Sequence, residues 1–215
     1  ENGDLDLLVL TARKLPREER LSLARDLLDL DQRPCPLELS ALYIEDLRPW
    51  RHPAPCQFHY SGAWTDHYEK LLSGACTDSF LLDTDFPDPD IACHVRLTKE
   101  RGVTLYGPYP QTFLPEIPES NFWQSISMDL YSCGILTLAR VLSYQRLGRI
   151  VSKYDAALWA MDIVPERLRY LLEDAVGEKY CKKACPKPPP EDLEALRRFL
   201  TGQIEEDRGD RIPRI

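Results

Sequence analysis

Asp4-Leu5-Asp6-Leu7-Leu8-Val9-Leu10 opens the chain with an apolar run that carries two aspartates one residue apart. The run is short, and Pro16 follows soon after it. It predicts a buried strand over 5–12 rather than a helix. Side chains at i and i+2 of a strand leave the same face. Asp4 and Asp6 therefore share a face at one strand end, an arrangement that suits a divalent cation. A buried strand tolerates two such like charges poorly unless something neutralises them.

The residues that follow turn this strand into a unit. Pro16 starts a helix of about 14 residues, with Leu21, Ala24, Leu27 and Leu28 at helical spacing. Asp31-Gln32-Arg33-Pro34 ends it, and Leu37 to Ile44 reads as a second strand. Strand–helix–strand of this length predicts a crossover with neighbouring strands. Residues 45–64 are rich in proline and aromatics, and Cys56 to Tyr60 alternates like a short strand. Residues 83–90 read as a surface loop, 89–101 as a helix, and Val103-Thr104-Leu105-Tyr106 as a last short strand closed by Gly107-Pro108.

From residue 119 the strand signals stop. Helical periodicity predicts helices near 119–131, 134–147, 153–163, 166–180 and 191–206. Pro186-Lys187-Pro188-Pro189-Pro190 is a stiff spacer before the last. The expected fold is α+β: an N-terminal mixed sheet with flanking helices over 1–118, then a helical C-terminal domain over 119–215.

Bulk properties narrow the function classes. The chain has 215 residues, 43% of them hydrophobic and 29% charged, which is ordinary for a globular protein. No run approaches the roughly 18–20 apolar residues of a membrane span. The net charge of −8 argues against nucleic acid as a partner and suits a cationic small molecule. The seven cysteines are spread and odd in number, as expected of free thiols in a cytoplasmic protein. Cys181 and Cys185 have the spacing of half a zinc site, but no second Cys/His pair accompanies them. His52, His59 and His67 cross a loop and a strand, and chance explains their spacing better than a metal does. A functional strand beginning at position 4 leads to the expectation that a natural N-terminal segment precedes the chain.

Glu38 begins the second strand. If the two strands are neighbours, Asp4, Asp6 and Glu38 converge at one edge of the sheet. That set suits metal-assisted phosphoryl chemistry, in which magnesium is held by a few carboxylates plus substrate phosphates. The third carboxylate ligates metal or takes a proton from an attacking hydroxyl. Asp-x-Asp alone is a weak motif, and most instances are solvated turns or strand ends.

A family resemblance adds to these residues. Gly3-Asp4-Leu5-Asp6-Leu7-Leu8-Val9 looks like the Asp-x-Asp strand of the nucleotidyltransferase superfamily. Leu37-Glu38-Leu39, then Arg48-Pro49-Trp50-Arg51-His52-Pro53, resembles the adenylyltransferases that modify streptomycin and spectinomycin. Cys56-Gln57-Phe58, Trp64, Leu105-Tyr106-Gly107-Pro108 and Leu136-Thr137-Leu138-Ala139-Arg140 fit the same family. So do Gly148 to Lys153 and Ala157-Leu158-Trp159-Ala160-Met161. The matches keep their order along nearly the whole chain.

The resemblance implies a nucleotidyltransferase-type sheet and a set of roles. Asp4 and Asp6 would hold Mg2+, and Glu38 would be the base. Arg140 and Lys153 would contact the triphosphate, and Tyr180 the adenine. Trp64 and Asp129 would face the acceptor, with ATP between the two domains. The residues themselves support part of this. Lys153 falls at an expected helix N-terminus, which favours anions. Arg140, alone in an apolar stretch, wants either an acidic neighbour or a bound anion. Trp64 by itself fits the core better than a ligand contact. The family's phosphate-cradling Gly-Ser motif is absent ahead of Asp4, and the loop before the Arg140 helix is short, Ser127 to Ser132. The expected reaction is AMP transfer from ATP to a hydroxyl of an aminoglycoside-like cation, by a monomer with neither nucleic acid nor membrane as partner. The alternatives are a nucleotide-binding regulatory module without catalysis, and AMP transfer to a protein.

Overall fold

The structure, a computed structural model, describes residues 5–31, 33, 35–77, 79–127 and 134–209. The chain divides into two compact units, 2–125 and 126–215.

The first unit is built on β1 (Leu5–Thr11) and β2 (Leu37–Tyr43), joined by α1 (Arg17–Leu30). The two strands are parallel, with Asp6 opposite Glu38 and Leu7 opposite Leu39. β4 (Phe58–Tyr60) pairs antiparallel to β2, giving the order β1-β2-β4. The expected crossover unit is therefore present. A second ribbon pairs β3 (Ala54–Cys56) with β5 (Phe86–Asp88).

The period-2 alternation of β2 sorts its side chains into two cores. Leu37, Leu39 and Ala41 face one, where Ala24 and Leu27 of α1, Tyr68 of α2 (Thr65–Leu72) and Leu81 and Leu82 of α3 (Phe80–Asp83) meet Phe58 and Tyr60. Leu42 faces the other, with Ile91 and Val95 of α4 (Ile91–Arg101), Cys56, Leu47 and Leu114. Burial of each large apolar side chain contributes roughly 1.5–3 kcal/mol. Buried polar groups tie the layers together. Gln57, fully buried, accepts from the Leu15 backbone N–H at 2.7 Å and donates to Thr11 Oγ1 at 2.8 Å. Arg20 of α1, 5% exposed, bonds Asp85 at 2.6 Å and the carbonyls of Leu15 and Thr84.

Two expectations of the sequence are corrected. Residues 83–90 are not simply a loop, because Phe86–Asp88 forms β5. Its partner β3 satisfies the backbone of a segment whose prolines and aspartates read as coil. Residues 103–106 form no strand. Val103, Leu105 and Tyr106 are exposed, Tyr106 almost completely, and no described strand offers them a hydrogen-bond ladder. Apolar alternation without a sheet edge to join leaves the segment irregular. α5 (Pro110–Phe113) and α6 (Glu119–Ser127) follow. α6 is fixed to α4 by Arg96–Glu119 at 2.5 Å and by Ser125 Oγ accepting from the Cys93 N–H at 3.2 Å.

The second unit is helical: α7 (Ile135–Leu147), α8 (Lys153–Met161), α9 (Arg169–Cys181) and α10 (Pro190–Gly209). Gly148, at φ 65°, ends α7 in the left-handed region where glycine carries no Cβ penalty. Ser152 caps α8, its Oγ accepting from the Asp155 N–H at 3.0 Å. Ala156, Ala157 and Ala160 are fully buried, and their small size lets α8 approach its neighbours closely. Leu138 and Leu142 of α7 and Leu196, Leu200 and Ile204 of α10 fill the interior. Gln145 donates to the Ile204 carbonyl at 2.9 Å. α10 begins at Pro190, the last residue of the proline spacer. Among the described residues no helix is long and apolar enough to cross a membrane.

Candidate active site

The parallel pairing of β1 with β2 sets Asp6 beside Glu38. Neighbouring strands lie about 4.8 Å apart, and partners at the same level project to the same face. That face is opposite to the one on which Leu7, Leu37 and Leu39 are buried. Asp6 is exposed and Glu38 half-buried. Asp4, the other half of the aspartate pair, lies outside the described residues.

The same face continues into a polar cluster. Ser40, two residues beyond Glu38, is paired with His59 of β4, and its Oγ stands 3.2 Å from His59 Nδ1. His94 of α4 covers this face within electrostatic reach of Asp6, Asp88 and His59. Burial pushes both imidazoles below their ordinary basicity, and the nearby carboxylates only partly offset it. Sequence reasoning dismissed His59 and passed over His94. His59 sits out of phase with buried Phe58 and Tyr60, which is a local signal, whereas nothing in the sequence around His94 shows what its helix face ends up covering.

The donor set fits magnesium, since carboxylate oxygens are hard ligands and magnesium commonly takes only one or two of them. Among the described residues no group of three or more His, Cys, Asp or Glu side chains is placed to hold an ion by itself. The pair therefore suits an ion that also leans on substrate phosphates. Cys181 is exposed and Cys185 half-buried, and among the described residues they form no metal cluster.

Trp64 belongs to the first unit. It is 39% exposed and meets His67 edge-on at 5.8 Å between ring centroids. Trp50 lies against the second core and donates to Asn121 Oδ1 at 3.0 Å. Asp129 lies outside the described residues.

Arg140, Lys153 and Tyr180 all lie in the helical unit. Arg140 is half-buried in α7, and no acidic side chain among the described residues forms an ion pair with it. Lys153 is the first residue of α8, whose first turn is capped by Ser152 and carries the carboxylate of Asp155 beside the positive end of the helix dipole. Tyr180, near the end of α9, packs edge-on against Tyr154 at 5.4 Å.

The family model for the aminoglycoside adenylyltransferase C-terminal domain matches residues 112–203. An aminoglycoside (3'')(9) adenylyltransferase of Rhizobium radiobacter is 26% identical over 224 residues, covering 94% of this chain and 79% of that relative. A spectinomycin 9-adenylyltransferase of Staphylococcus aureus is 27% identical over 190 residues, covering 81% and 70%. The crystal structure of a spectinomycin adenyltransferase from Enterococcus faecialis, solved with ATP and spectinomycin, superposes with a TM-score of 0.79 at 20% identity. It covers 95% of this chain and 85% of that one, and the mixed α+β fold is shared. Residues 112–203 thus match the C-terminal domain of the aminoglycoside adenylyltransferases, and along most of its length the chain is similar in sequence to adenylyltransferases of the streptomycin and spectinomycin type and shares the fold of one of them.

Proposed function

We propose that this protein transfers AMP from ATP to a hydroxyl of a cationic aminocyclitol antibiotic of the spectinomycin or streptomycin type, releasing pyrophosphate. The observation that carries this reading is the Asp6–Glu38 pair on one face of the parallel strands. The N-terminal unit is read as the nucleotidyltransferase sheet and the C-terminal unit as its helical partner domain.

The two carboxylates divide the work. Asp6, exposed at its strand end, holds the cation together with Asp4. Glu38, half-buried, is the less solvated of the two and acts as the base. Its carboxylate takes the proton of the acceptor hydroxyl as that oxygen attacks the α-phosphorus. The bond from the α-phosphorus to the bridging oxygen breaks, and pyrophosphate leaves with the electron pair. Bound Mg2+ would supply charge neutralisation at the triphosphate. Arg140 and Lys153 contribute fixed positive charge to the phosphates, and the absence of a carboxylate partner for Arg140 among the described residues favours that role. Tyr180 contacts the adenine. Trp64 and Asp129 face the acceptor, an aromatic surface and an anion suited to a cationic ring system. The net charge of −8 favours such an acceptor.

The test is pyrophosphate release from ATP and Mg2+ over a panel holding spectinomycin, streptomycin and other aminoglycosides. Acceptor-dependent release supports the reading. ATP binding without release for any acceptor supports a regulatory nucleotide-binding module instead.

A further inference from the structure

β4 runs antiparallel to β2 with Tyr60 opposite Leu39. Ser61 continues in extended backbone, at φ −155° and ψ 168°, which brings it level with Glu38. The single turn Gly62–Trp64 follows, and the Trp64 N–H donates to the Ser61 carbonyl at 2.9 Å. Trp64 therefore leaves the sheet at the strand end that carries Asp6 and Glu38.

A half-exposed indole ordinarily has several rotamers open to it. This one is backed by a row of rings. His67 of α2, three residues on, meets it edge-to-face, with 5.8 Å between centroids and 79° between planes. His67 in turn meets Tyr68 at 6.0 Å and 69°. Tyr68 is fully buried, stacks on Tyr60 at 5.8 Å and donates its hydroxyl proton to the His59 carbonyl at 2.5 Å. The row runs from the core of the sheet to the exposed indole, and His67 is the link between them. His67 Nε2 is buried with no hydrogen-bond partner among the described residues. The ring contacts, not a hydrogen bond at that nitrogen, fix its orientation.

We infer that His67 is a positioning residue for the acceptor: it holds the Trp64 indole in the orientation that receives a cationic ring system. This rests on the proposed contact of Trp64 with the acceptor. Cation–π attraction requires the cation to lie over the ring face. A face fixed before the acceptor arrives spares part of the ordering cost of binding. The contact is with the body of the acceptor and not with the reacting hydroxyl. Its benefit is then equal in the ground state and the transition state, and it appears in KM rather than kcat.

The experiment uses the full chain with His67→Leu, His67→Gln and His67→Phe, each alone and combined with Trp64→Ala. It measures melting temperature, AMP transfer to spectinomycin and to streptomycin, and calorimetric binding of ATP and of each acceptor in Mg2+ with a non-hydrolysable ATP analogue. His67→Leu and His67→Gln, which lack an aromatic ring, are expected to raise the acceptor KM and Kd about 3- to 10-fold. The kcat and the ATP Kd stay within about twofold. His67→Phe keeps the ring and the wild-type acceptor KM. In the Trp64→Ala background neither ringless change weakens the acceptor further, because the two residues act through one contact. An acceptor KM and Kd unchanged in both ringless variants would overturn the inference. So would the same loss with and without Trp64, which is the mark of a purely structural role, and so would a wild type that binds neither acceptor. Acceptor binding that depends on His67 without pyrophosphate release leaves the inference standing and removes the transfer reading. Transfer with no dependence on His67 does the reverse.

Discussion

Asp6 and Glu38 are direct partners across the parallel β1–β2 pair, one exposed and one half-buried, on the face opposite the Leu7–Leu39 core. Like charges facing each other across neighbouring strands repel, and a cation between them offsets the repulsion. On the proposed reading, the pair links stability to bound Mg2+.

A first prediction follows from that repulsion. In the metal-free protein Asp6→Asn relieves it, and stability rises by about 0.2–1 kcal/mol. Added Mg2+ and ATP raise the melting temperature of the wild type and leave that of Asp6→Asn nearly unchanged, because a ligand stabilises only the state it binds. Thermal melts with and without EDTA read both effects. A variant that melts lower than wild type in EDTA would contradict the placement of the charge.

The histidines predict a pH dependence. His59 and His94 are held below their ordinary value of 6.5 by burial, so the unfolded chain takes up protons first as pH falls. Their contribution to stability is fully present above about pH 6.5 and is lost as pH falls below it. Asp88 and, at His94, Asp6 temper the loss without reversing it. The melting temperature should fall between pH 7.5 and pH 5, and His59→Gln should flatten the slope. A slope unchanged by His59→Gln would remove that residue from the account.

Arg20 and Asp85 form the buried ion pair of the first unit, at 2.6 Å with side-chain exposures of 6% and 16%. Removing one partner leaves a buried charge unmet. Asp85→Ala is expected to destabilise the protein by about 3–5 kcal/mol, read by urea denaturation. Arg17→Ala is a control. Its pair with Asp83 is exposed on both sides, and the change should cost about 1 kcal/mol or less.

Cysteine reactivity tests the second core, with exposed Cys181 as the reference. Cys56 is fully buried, and burial with the nearby Asp88 charge raises its thiol to about 12. Cys181 is exposed. At pH 8 a thiol reagent should label Cys181 within minutes and Cys56 only after unfolding, as peptide mass spectrometry of the labelled protein would show. Early labelling of Cys56 would mean that the second core opens readily.

Much of this arrangement was legible in the sequence, and the misses have physical causes. The crossover could be read because Leu5–Thr11 and Leu37–Tyr43 have apolar runs of strand length with a periodic helix between them. Glu38 could be placed near Asp6 because a crossover of that length joins adjacent strands. Phe86–Asp88 could not be read as a strand, since its pairing comes from Ala54–Cys56, 30 residues earlier in the Cys56–Phe86 register. Val103–Tyr106 misled in the opposite direction, because alternation signals a strand only where an edge is available to pair. His94 was missed because nothing local marks a helix face that ends up over a carboxylate.

The most direct test of the central claim is AMP transfer to spectinomycin by wild type and Glu38→Gln, with ATP binding measured on the same samples. The account predicts that Glu38→Gln binds ATP as the wild type does, while kcat falls by about 10²–10⁴-fold. Full transfer by Glu38→Gln would contradict it, leaving the Asp6–Glu38 pair without the role assigned here.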